Sequence, residues 1–339
     1  MRRDISIMRI IATLAVVFLH TCNTIANNIE SYNISEREYF VLTTGNVLMN
    51  WAVPIFFMIT GSLLLRKNND LTYKKVIFKY LKRIVLALFI FGVPFSIMEI
   101  YMDTRTLDIS MILSAIVNVI TGNSWSHLWY LYTLIGVYMI LPMLKAFVDR
   151  CDHQQIEILL IIIYIFNFII PCIEYILDIN IAFKLPISSF AVFYILLGRW
   201  LDDKVDINKY KKIELIMLVA LIFSLIGINY FEGYNKAMIW TSYQSPIIAL
   251  IAALIFLFIK ETKINSNQYI WKIDRMCFGV YLVHPVFINF TYKFLHITPL
   301  NFGSLYFIAI FIFWVVFAIC SWIVVWLLEH IKFLNKYVL

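Results

Sequence analysis

The stretch Ile5-Ser-Ile-Met-Arg9-Ile-Ile-Ala-Thr-Leu-Ala-Val-Val-Phe-Leu-His20-Thr-Cys22 is apolar except for two ionisable side chains eleven residues apart. Its length and composition are those of a bilayer-spanning helix, which needs about twenty mostly apolar residues. On such a helix eleven residues rise about 16 Å and return to within about 20° of the same face. One stripe therefore carries a guanidinium near one membrane surface and an imidazole about half a bilayer away. Ionisable groups inside a membrane are expensive and mark functional sites by default. Arg9 and His20 are accordingly the first candidate catalytic residues.

The same hydropathy recurs outward from this segment to the far end of the chain. Of the 339 residues, 62% are hydrophobic and only 14% charged, too apolar for a soluble fold. Apolar windows predict about ten spans, near 5–25, 42–65, 83–102, 127–148, 156–177, 183–201, 213–231, 241–260, 275–295 and 303–328. The expected architecture is all-α, a polytopic membrane protein forming a single integral-membrane domain over 1–339. The fifth and sixth spans are candidates for a broken pair around Pro171 and Pro186. The stretch Ile109–Ile120 is too short to cross and is expected at the interface or re-entrant. Arg2 and Arg3 ahead of an apolar run imitate a secretion signal, but Arg9 interrupts the run and no small-x-small cleavage site follows. A retained first helix is expected.

Lysine and arginine set the orientation. With both termini cytosolic, 23 of the 28 basic residues fall on inner loops and inner helix ends; Arg37, Arg105, Lys184, Lys236 and Lys293 remain outside. The formal charge of +7 is thus a topology signal with attraction to the inner leaflet, not a nucleic-acid signal. The expected location is a cell membrane, N-in and C-in, in contact with the lipid bilayer. Five cysteines without C-x-x-C spacing indicate neither zinc nor a redox pair, so no metal is expected and the cysteines are packing residues. No Walker A loop, Gly-rich dinucleotide turn or H-E-x-x-H motif occurs.

Two further histidines, His127 and His284, fall in or near the outer half of their spans. Arg9, Arg66, Lys82, Arg83 and Arg199 ring the cytosolic mouth. Guanidinium groups bind phosphates bidentately, which suits an anionic donor arriving from inside. Imidazole can take a proton from a hydroxyl near neutral pH, which suits acyl transfer to an alcohol. A long, thin donor charged at one end has the shape of an acyl-coenzyme A. Each residue also has a plainer reading. Arg9 could be a snorkelling topology marker, and Trp129 and Tyr130 interface-belt aromatics. His127 could cap a helix, and His284, before Pro285, could bond a freed carbonyl. Glu99 and Glu174 stand near outer helix ends and could orient His20. Gly61 and Gly198 suit helix packing rather than hinges.

Five motifs in order carry a resemblance. They are Arg9-x10-His20, Pro54-Ile-Phe-Phe-Met-Ile-Thr-Gly61 followed by Arg66, Lys82-Arg83-Ile84, His127-Leu-Trp-Tyr-Leu131, and Phe278-Gly-Val-Tyr-Leu-Val-His284. Together they resemble the signatures of membrane acyltransferase family 3. Thr60 stands where the family has a small serine, Lys82 where it often has arginine, and Cys277 where a serine opens the late block. The resemblance implies an enzyme that moves an acyl group, usually acetyl, from cytosolic acyl-CoA to a hydroxyl on an extracytoplasmic glycan. It implies Arg9 and His20 as the essential pair and Arg66, Lys82 and Arg83 as coenzyme-side cations. His127, Trp129, Tyr281 and His284 would line the active site. It also admits a separate extracytoplasmic partner, since no hydrolase-like domain is fused here. The alternatives are a serine transporter, because Ala52-Val-Pro-Ile-Phe-Phe-Met-Ile-Thr-Gly61 is similar to the membrane part of serine racemase/transporter proteins, and a polysaccharide exporter.

Overall fold

The computed structural model describes residues 2–105, 108–187, 189–204, 211–262 and 268–339. Lys209 and Lys263, counted above for orientation, lie outside them. Among the described residues there is no strand, and seven helices are long and apolar enough to cross a membrane. They are Arg3–Ala26 (α1), Glu36–Leu64 (α2, broken at Asn50–Trp51), Tyr73–Met102 (α3), Ser126–Arg150 (α4), His153–Leu177 (α5), Lys211–Glu232 and Pro299–Leu328. A pair bent by 53°, Tyr234–Thr241 and Pro246–Glu261, makes an eighth if it crosses as one. The remaining two expected spans are helical but fall short of that test. Phe190–Lys204 has 15 residues, and Gln268–Asn289 begins in a charged stretch holding Lys272, Asp274 and Arg275. The first described helix end and the last residues meet at one end of the bundle: Arg2 pairs with Asp202 at 2.6 Å, and Leu339 lines the same cavity as Arg9.

Local sequence explains where several helices start. Ser35 and Glu38 form a reciprocal capping box ahead of α2, Asp152 and Gln155 do the same for α5, and Ser245 caps the Pro246 helix. Pro171 does not break α5. A π turn at Ile165–Ile169 immediately precedes it, and the helix continues to Leu177. Such a turn shifts the hydrogen-bond ladder where proline supplies no N–H. The short apolar stretch near Ile109 is a helix, Ser110–Thr121, packed on α3 and tied there by Asn118 Nδ2 to Ser96 Oγ at 3.0 Å. All five cysteines are free.

Two glycines set the closest helix contact. A Cβ on Gly61 would lie 1.8 Å from the Ile195 carbonyl oxygen, and one on Gly198 would lie 2.2 Å from that of Met58. The second half of α2 and the Phe190–Lys204 helix therefore touch backbone to backbone, the packing that small residues allow in membranes. This contact fixes the helix that carries Phe56 and Thr60 beside the site.

Candidate active site

Two parallel helices build the site. Gln268–Asn289 (α6 here) packs along α1, and each carries a charged residue followed by a histidine: Arg9 and His20 on α1, Asp274 and His284 on α6. Intervals of eleven and ten residues rise about 16 and 15 Å, so the two ladders stay in register. At one end Arg9 Nη1 forms an ion pair with Asp274, whose other carboxylate oxygen accepts a 2.7 Å bond from the Ser6 hydroxyl. Asp274 is 1% exposed. At the other end the rings of His20 and His284 lie 5.1 Å apart, centre to centre.

His127 completes a triangle with them, 6.4 Å from His20 and 5.7 Å from His284. It sits in a 3-10 turn, Ser126–Leu128, at the head of α4, and its side chain does not cap the helix. His284 Nδ1 donates to the Val280 carbonyl at 3.1 Å, one residue before the carbonyl that Pro285 leaves free. A carbonyl only accepts, so this bond leaves Nε2 as the second ring nitrogen, buried and without a partner. His127 Nε2 is likewise buried and unpartnered. Neither carboxylate considered from the sequence reaches this triangle through a recorded bond. Glu99 is exposed, and Glu174 accepts from Lys184 Nζ at 2.6 Å and from the Ile181 N–H. Among the described residues no group of three or more His, Cys, Asp or Glu side chains is arranged to hold a metal ion.

Two cavities stand back to back along the ladders. One, about 370 Å³, is lined by Arg9, Arg83, Asp274 and Tyr138. The other, about 410 Å³, is lined by His20, His127, Trp129 and Asn23. Phe56, Tyr130 and Tyr281 line both. Their rings touch in sequence, with centroids 6.1 Å apart for Phe56–Tyr130 and 5.5 Å for Tyr130–Tyr281, and together they form an aromatic partition. The Tyr281 hydroxyl is tied to the His127 carbonyl at 2.5 Å. Trp129 stacks on Tyr243 at the second cavity instead of standing as a lone interfacial ring.

The cations expected around one mouth divide. Arg9 and Arg83 line the first cavity. Arg66 instead pairs with Asp202 at 3.3 Å, alongside Arg2, and Lys82 lies over the Tyr337 ring at 5.1 Å. Arg199 is buried against Asp203 at 2.6 Å. Arg83 is itself engaged: its Nε donates to the Val338 carbonyl at 2.9 Å, and Nη2 to that of Leu339. Thr60 and Cys277, two of the departures from the family pattern, both line this cavity.

Sequence reading missed Asp274, which stands between Lys272 and Arg275. Its signal was present in the interval: Asp274-x9-His284 repeats Arg9-x10-His20. The partition was missed because its three rings come from three helices.

A family model described as an acyltransferase domain matches residues 2–328, nearly the whole chain, and the protein belongs to that family, the one its five motifs resemble. Comparison with curated proteins and with solved structures returns no match.

Proposed function

From its membership of an acyltransferase family, we propose that the chain transfers an acyl group, acetyl in the simplest case, from cytosolic acyl-CoA to a hydroxyl of an extracytoplasmic glycan. The observation that carries this reading is the back-to-back pair of cavities, one cationic and one holding imidazoles, which share Phe56, Tyr130 and Tyr281 as wall. With the termini inside, the cationic cavity opens to the cytosol and takes the phosphate-bearing donor through Arg9 and Arg83. The His20 cavity takes the acceptor.

In the transfer step His20 removes the proton of the acceptor hydroxyl. The oxygen attacks the thioester carbonyl, and the tetrahedral centre collapses by breaking the carbon–sulfur bond. The thiolate leaves as coenzyme A after taking the proton from the imidazolium. His284, its tautomer set by Val280, packs its ring 5.1 Å from that of His20 with Nε2 left unbonded. The thioester reaches His20 only when the rings of Phe56, Tyr130 and Tyr281 part. The acyl-CoA is a substrate, and no metal enters the step.

Purified protein given acetyl-CoA and a hydroxyl acceptor releases free coenzyme A thiol and forms an ester on this reading. His20→Ala reduces ester formation to background while coenzyme A still raises the melting temperature, since ligand stabilisation follows mass action. Robust turnover by that variant removes His20 from the chemistry. Stabilisation by serine and not by coenzyme A would favour transport instead.

A further inference from the structure

The His20 cavity has a second feature that the acyl-transfer chemistry does not use. Four asparagines line it, in two pairs of identical spacing: Asn23 on α1 with Asn27 capping its C-terminus, and Asn46 on α2 with Asn50 at its break. Side chains four apart share a helix face, and His20 lies three residues before Asn23 on the same stripe. Each helix thus turns a row of amides into one space. The α2 pair is held by neighbours on the same wall. Asn46 Oδ1 accepts from the Tyr234 hydroxyl at 3.2 Å, and Asn50 Nδ2 donates to the Thr241 carbonyl at 2.7 Å. Asn23 Oδ1 is buried and has no partner among the described residues. A buried carbonyl without a donor is costly unless something supplies one.

The rest of the lining combines aromatic and hydroxyl side chains with the two imidazoles and with aliphatic ones such as Val16 and Leu19. Trp129 and Tyr243 stack at 5.3 Å on the wall, and Ser242 adds its hydroxyl. Among the described residues that line this cavity there is no Asp, Glu, Lys or Arg. Amides both donate and accept, as sugar hydroxyls do, and flat aromatic faces match the C–H faces of a pyranose ring. A charged ligand would enter such a space with no fixed counter-charge, only the titratable imidazoles of His20 and His127, at the desolvation cost that buried unpaired ions carry.

We propose that this amide-lined chamber is the acceptor subsite, that it binds a neutral pyranose ring, and that Asn23 accepts from a ring hydroxyl to present its neighbour to His20. Uronic acids, free amino sugars and zwitterions such as serine are disfavoured by the lack of a fixed counter-charge. The proposal rests on the acyl-transfer reading in one respect only, that the hydroxyl facing His20 is the one acylated.

The test is binding, read by intrinsic tryptophan fluorescence of the full-length protein in nanodiscs. Three probes are titrated: methyl glucopyranoside, its uronate and its 2-amino analogue. The neutral glycoside is expected to bind about tenfold more tightly than either charged one. Asn23→Ala should weaken it by about tenfold, the ratio set by one hydrogen bond of roughly 1.4 kcal/mol. Asn23→Asp should reverse the order and favour the 2-amino glycoside, a gain that misfolding cannot produce. Equal binding of charged and neutral probes, no saturable binding, or indifference of all three to Asn23→Asp overturns the proposal. Sugar binding that follows these rules without ester formation from acetyl-CoA leaves the subsite standing and sinks acyl transfer. Ester formation with sugar binding insensitive to the asparagines sinks the subsite alone.

Discussion

Arg9 shares its guanidinium with a buried carboxylate, and this changes what its substitution reports. Removing one member of a buried pair leaves an uncompensated charge and costs about 3–5 kcal/mol. Arg9→Ala is therefore expected to lower the melting temperature as well as any donor affinity, and Asp274→Asn in the same chain to recover much of the stability. If the double variant regains stability but not coenzyme A binding, Arg9 contacts the donor; if it regains both, Arg9 serves Asp274 alone. Hydropathy singled out Arg9 because a lone cation in an apolar run stands out. Asp274 sits among Lys272 and Arg275, where charge density reads as a loop, so its burial was invisible. His20, His127 and His284 were legible one at a time from their apolar surroundings. That they form one triangle was not, because three separate helices bring them together.

At the scale of elements, hydropathy located the long helices, since each ordered apolar window needs its backbone bonded internally. It was less informative about crossings. Phe190–Lys204 is short, and the Gln268–Asn289 helix carries charges, yet these two hold Gly198 and His284. Of the charges on the second of these, only Asp274 is buried in protein, while Lys272 and Arg275 are exposed. The glycine contact makes a sharp prediction. Gly61→Ala and Gly198→Ala each drive a methyl into a backbone carbonyl that cannot rotate away. Both should exceed the about 1–3 kcal/mol of ordinary overpacking and show as large losses of melting temperature or yield. Gly136→Ala, with open space around its Cβ, should be neutral or stabilising by up to about 1 kcal/mol. Similar losses at all three would dismiss the backbone contact.

Taken as a whole, the molecule sets three side chains, Phe56, Tyr130 and Tyr281, on the walls of both chambers. If Phe56, Tyr130 and Tyr281 are what separates thioester from water on the far side, Tyr130→Ala should raise acetyl-CoA hydrolysis severalfold in the absence of any acceptor. Thiol release measures it directly, and an unchanged rate in a folded variant would show that these rings do not hold the passage. The Arg83 contacts with Val338 and Leu339 act at the same scale. A chain ending at Tyr337 should bind coenzyme A more tightly, by isothermal titration, because the guanidinium is released for phosphate. Weaker or equal binding would make those carbonyls part of a scaffold and not competitors. Neither feature is written in any one segment, which is why the sequence alone offered a cation-lined mouth without its stopper.

The paired ladders also bear on how such a chain can change over generations. One residue inserted or deleted between Arg9 and His20 would swing the imidazole by about 100° and slide it about 1.5 Å along the axis. The same event between Asp274 and His284 would do likewise to its counterpart. Substitutions inside either interval can be absorbed by repacking, whereas a change of count cannot unless both helices change together. Descendants of this chain should therefore vary freely in loop length while those two intervals stay constant in number.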